Sequence, residues 1–175
     1  MYGLNKVIIV CLTSLIISGC TLNFRPSPEE YTGTDAARVR VGNDGNTAIR
    51  TYEKIGECYK KVSEKSVTSS LVLMGIPTTG NKKVAGMTPS ADIKTMSVKE
   101  YSIKPNQYLE VVRYYTESHT YGSFERQIST RLYPLPNHDY DVIVSDISIR
   151  IKDLTPSEGG TNSWSGDLCK TGFFG

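Results

Sequence analysis

The chain has 175 residues, with 20 Lys and Arg against 18 Asp and Glu and a formal net charge of +2. No run of five like charges occurs, so a polyanion-binding tail is excluded and nothing points to nucleic acid as a partner. Length and a 38% hydrophobic content fit one globular domain of ordinary size.

Residues 1–19 begin with a short polar start and Lys6, pass through the apolar stretch 7–17, and stop at Ser18-Gly19 before Cys20. That is the layout of a secretory signal. The apolar run falls short of the roughly 20 residues that span a bilayer. Ile17-Ser18-Gly19-Cys20 resembles the lipobox of bacterial lipoproteins. The resemblance implies a diacylglycerol on the Cys20 thiol, cleavage before it, and acylation of the new amine. Several acyl chains anchor stably, each buried CH₂ contributing about 0.8 kcal/mol. Thr21, not Asp, follows the cysteine, which in enteric-type bacteria implies the outer membrane. The expected organisation is a signal over 1–19, an acylated N-terminus and flexible tether over 20–35, and a β-rich domain over 36–175. That domain is expected to face the periplasm, with exposure at the cell surface as the alternative. Apart from the covalent lipid on Cys20, no cofactor is expected.

With Cys11 removed and Cys20 acylated, Cys58 and Cys169 remain as an even pair in an exported chain. Pairing is the expectation there. A reactive thiol or metal ligand is the alternative, and no His or Cys lies near either in sequence.

Residues 21–35 hold Pro26 and Pro28 and little apolar content, as a tether would, and extended they reach about 50 Å. Ala37, Val39 and Val41 then alternate with Arg38 and Arg40, a half-buried strand. Asn43 to Asn46 reads as a turn. "TAIRTYEKIGECYKK" reads as one strand ending near Cys58, with Gly56 marking a bulge. "SVTSSLVLMGIP" is β-branched and apolar, and residues 78–92 read as a mobile loop. Tyr101 and Ile103 belong to the next strand, and Pro105-Asn106 turns the chain. Residues 108–120 form a long strand, with Leu109, Val111 and Arg113 on one face and Tyr108, Val112 and Tyr114 on the other. "RQISTRLYPLP" pairs with it. Tyr140, Val142 and Val144 share a face; Ile147, Ile149 and Ile151 take the opposite parity, so a bulge or tight turn lies at Ser145-Asp146. Cys169 would pin the final segment to the body. The pattern is mainly β: a single antiparallel β-sandwich or barrel-like domain after a lipid-anchored tether.

Chemistry is sparse. The two histidines, His119 and His138, fall at strand ends or turns, and His138 and Asp139 would point to opposite faces. No nucleophile elbow, zinc signature or phosphate loop occurs. No catalytic or metal-ligating residue is therefore assigned, and an enzyme is not the expected class. Tyrosine is abundant, eleven against four Phe and one Trp. One ring can bury area while its hydroxyl stays hydrogen-bonded, which suits interfaces. Tyr114 and Tyr115 must face opposite ways, so one lies outside a single-faced core. Tyr114, Tyr115 and Tyr121 are the candidate interface residues.

From residue 37 onward the chain resembles a loosely defined group of uncharacterised bacterial lipoproteins. The likeness rests on 37–41, Cys58, 75–77, 100–103 and 136–142. It implies the architecture and no activity. The expected function is a lipid-anchored binding or structural module, an accessory subunit of an envelope assembly such as a secretion apparatus, with an envelope protein as partner. A periplasmic inhibitor or immunity lipoprotein against a toxin or cell-wall hydrolase is the alternative, and a hydrolase with a spatially assembled site the third.

Overall fold

The computed structural model describes residues 26–42, 46–68, 72–73, 76–77, 86–88, 90–93, 97–145, 147–155 and 162–170. Cys20, the expected signal and the first part of the expected tether lie outside them. The described residues hold no helix and these strands: β1 (Ala37–Gly42), β2 (Thr47–Ile55), β3 (Cys58–Ser66), β4 (Val72–Leu73), β5 (Ile76–Pro77), β6 (Val98–Ile103), β7 (Tyr108–His119), β8 (Gly122–Leu132), β9 (Asp139–Val144), β10 (Ile149–Asp153) and β11 (Asp167–Leu168). One sheet runs β10-β9-β1-β6 and the other β11-β3-β2-β7-β8, with β4-β5 as a small separate ladder. The domain is mainly β and sandwich-like, as expected. Its sheets are mixed, not purely antiparallel, because β1 lies parallel to β9 and β11 parallel to β3.

The core forms where alternation turns apolar side chains between the sheets. Val39 stands opposite both Tyr101 and Tyr140. These pack with Val41, Val142, Ile49, Leu109, Val111 and Leu132 in one buried cluster. The buried hydroxyl of Tyr101 donates to Val67 O at 2.9 Å, so burial leaves no orphan.

Three local expectations need correction. Gly56 is not a bulge: at φ 59° it takes the left-handed conformation of a tight turn, and residues 47–66 form a hairpin of two strands. The bulge lies opposite, where pairing passes from Thr51–Ser63 to Tyr52–Lys61 and leaves Val62 as the extra residue. That extra residue reverses the side-chain phase and places Tyr59 on the outer face. Ile147 does not share the strand face of Ile149 and Ile151. It sits 87% exposed in a tight turn closed by Ser145 N–H donating to Ser148 O at 2.9 Å. The expected loop over 78–92 is in part a cover: Thr88 O accepts from Arg40 at 3.3 Å, the Ser90 hydroxyl donates to Asp141, and Ile93 just after it is buried.

Register also aligns charge. Across the outer face of the first sheet, Lys152, Asp141, Arg40 and Glu100 stand opposite one another in turn. Across the second, Glu64, Arg50, Glu110 and Arg131 do the same. Each is a four-strand ladder of alternating sign, the arrangement cross-strand pairing favours.

Candidate functional site

Two features stand apart from the packed body: a projecting hairpin and a cavity at the open seam between the sheets.

The hairpin is the distal half of β7–β8. The β2 partner of β7 ends at Thr47–Arg113, one residue before Asn46 O accepts from Tyr114 N–H. From Tyr115–Arg126 to His119–Gly122 the two strands pair only with each other among the described residues. Tyr121 at the turn is 98% exposed and Phe124 is 52% exposed. Glu117 takes an ion pair from Arg126 at 3.0 Å and stands 3.3 Å from His119, whose ring lies 6.0 Å from that of Phe124. The arm thus offers aromatic rings backed by a small charged cluster.

At the base of the arm, Tyr114 is drawn into the outer-face network. Arg50 donates to the Tyr114 hydroxyl at 2.7 Å, to Glu64 at 2.9 Å and to Gln127 at 2.8 Å. Tyr114 in turn donates to Glu64 at 2.6 Å. Glu110 accepts from Tyr52 at 2.6 Å, Ser129 at 2.8 Å and Arg50 at 3.3 Å. Burial alone would raise the Glu110 carboxyl, but these three donors together with the Arg50 charge hold it below its ordinary value. Burial, then the bond and charge of Glu110, push the Tyr52 hydroxyl up to about 12. Beside this network Trp164 packs on Tyr52, Tyr59 and Tyr108 and donates to Leu109 O at 2.6 Å. Arg131 lies over its ring at 4.1 Å.

The cavity lies between β6, an edge of the first sheet, and the part of β3 beyond its short pairing with β11, two strands that do not pair with each other. Its volume is about 390 Å³. The distal part of the expected tether runs across it as a strap: Pro26 O accepts from Ser66 N–H at 2.9 Å, Tyr31 N–H donates to Ser102 O at 3.0 Å, and Glu30 accepts from Ser102 N–H at 2.8 Å. The strap therefore touches both sheets.

Of the residues singled out in the sequence, Cys58 and Cys169 form a disulfide, Cα–Cα 4.9 Å, which fastens β11 beside β3. Tyr115 and Tyr121 belong to the arm; Tyr114 and Tyr115 are both half-buried, and Tyr114 is bonded into the Arg50 network. His138 is not a solvated turn residue: its Nδ1 lies 2.8 Å from Asp153, and its ring stacks on Tyr140. Asp139 pairs instead with Arg38, so the two neighbours diverge as alternation requires. Phe124 and Lys65 stand in no motif of the sequence. The signal for Phe124 was its place in the hairpin; for Lys65 it was register, which no local pattern carries. No group of three or more metal-ligating side chains occurs among the described residues. No protein-family model, curated protein or solved structure matches the chain.

Proposed function

We propose that the protein is a lipid-anchored binding module of the bacterial cell envelope, an accessory subunit that faces the periplasm from the outer membrane and docks an envelope protein through its β7–β8 arm. The anchor rests on the lipobox resemblance at Cys20. The observation that carries the docking is the arm itself, a two-stranded projection with Tyr121 almost wholly in solvent and Phe124 half so. Exposed aromatics on a pre-formed strand pair offer large contact area at low ordering cost.

The test is a photo-crosslinking amino acid at Tyr121 in the tagged full chain, in intact cells, with exposed Lys54 on the body as control. The reading expects a recurrent envelope-protein adduct from 121, absent from 54 and lost with Cys20→Ala. The same adducts from both positions, or none from 121, would remove the arm as the docking element. The narrow tip at Thr120-Tyr121 also suits insertion into an enzyme cleft, which favours the inhibitor reading; capture of one soluble hydrolase would select it.

A further inference from the structure

We infer that the cavity beneath the strap is a binding site for a small amphipathic anion, an apolar body carrying one carboxylate, sulfonate or phosphate. The floor is Ile49, Ile103 and Leu109, all buried members of the core. The wall departs from what a closed sandwich would place there. Thr51, Ser63 and Lys65 line it, and Lys65 stands opposite Ile49 in register, on the core-facing side of β3. A lysine there, half-buried, gives up part of its hydration. Neither Lys65 nor Lys104, the second ammonium at the cavity, forms an ion pair with a described residue. The two strap acids are solvent-exposed, Glu30 being engaged with the Ser102 amide, and so is Lys104, which leaves Lys65 as the half-buried charge at the cavity.

Apolar floor, two unpaired cations and a few hydroxyls match the usual make-up of a small-ligand pocket. At about 390 Å³ the space is at the small end for such sites. It admits a medium-chain or aromatic acid and excludes a whole diacyl lipid. Because residues 28–31 line the same cavity, the ligand would also touch the strap.

The experiment is photoaffinity labelling of the full chain in nanodiscs with a diazirine-bearing medium-chain carboxylic acid, mapped by mass spectrometry. Labelling is expected within 28–31, 49–51, 63–65 and 103–109, competed by octanoate and not by octanol. Lys65→Gln with Lys104→Gln should weaken it about tenfold. Thr51→Phe, which fills the cavity, should abolish it with the β-sheet circular dichroism intact. Label outside these segments, equal competition by octanol, or full labelling of the double lysine variant would each overturn the assignment. The lysine variant decides the matter even if Thr51→Phe does not fold.

Discussion

Arg40 and Arg50 occupy equivalent places, each flanked by two acids in a ladder of alternating charge, but their surroundings differ. Arg40 is 1% exposed and Asp141 is fully buried. Arg40 bonds Glu100 at 2.8 Å and lies 3.3 Å from Asp141, yet its Nη2 and Asp141 Oδ1 have no hydrogen bond among the described residues. Around Arg50, by contrast, two tyrosines, a serine and a glutamine complete the bonds that the acids leave open. Water still reaches its edge. One ladder is sealed by a loop, which gives it Thr88 O and the Ser90 hydroxyl as partners, and still leaves Arg40 Nη2 and Asp141 Oδ1 without a hydrogen bond among the described residues. The other is tied into a hydrogen-bond web that remains near solvent. Removing one charge should therefore be far worse in the first, where the partners left behind cannot rehydrate.

The largest effect is expected from that contrast. Arg40→Met should cost about 3–5 kcal/mol, since two buried acids lose their cation. Arg50→Met should cost about 2 kcal/mol, because Glu64 and Glu110 keep hydroxyl donors. Urea denaturation of both variants checks this, and equal costs would erase the distinction drawn between the two faces.

Next in size, replacing both Cys58 and Cys169 with serine should remove about 2–4 kcal/mol. The loss concerns the second face, where the bond fastens the segment after Trp164 to β3. Trp164 emission should shift to the red at lower urea than in the parent protein. An unchanged emission profile and midpoint would show that the aromatic packing holds the segment without the bond.

The smallest effect sharpens the hydrogen-bonded side. Tyr52 titrates near 12 in the fold against 10 for the free side chain. The fold thus prefers the protonated hydroxyl. Its contribution is complete below about pH 10 and is lost as the pH rises through about 12. Tyr52→Phe should cost about 1 kcal/mol at neutral pH and reduce the alkaline slope of stability. Tyr101, likewise pushed up to about 12, first by burial, keeps its own share of that slope. Denaturation midpoints across that interval read the difference; an unaltered slope would mean Tyr52 does not couple to folding.

Much of the framework was legible because alternation is local. Tyr140, Val142 and Val144, Tyr101 and Ile103, and the long run from Tyr108 announce their strands by period alone. Gly56 misled because a glycine inside a β-branched run fits a bulge and a turn equally well; its positive φ settles the matter. Val62 gave no warning, since a bulge is defined by the partner strand. The charge ladders were invisible for the same reason. Glu100, Arg40, Asp141 and Lys152 are scattered along the chain and meet only through register. Parity did separate Tyr114 from Tyr115, and that separation divides the network from the arm. The inward lysine of the cavity could not be read, because inward is a property of the sheet pair.

The position of β1 also dictates when the fold can close. It is central in its sheet, yet its neighbours are β6 and β9, with Arg38 and Asp139 101 residues apart. The hairpins β2–β3 and β7–β8 can zip from their own turns, whereas β1 waits unpartnered until both distant strands arrive. Such long-range closure puts folding on the millisecond-to-second scale. Until then the chain carries an unclosed first strand, and the parallel register of 38–41 on 139–142 is set only once nearly all of the domain is present.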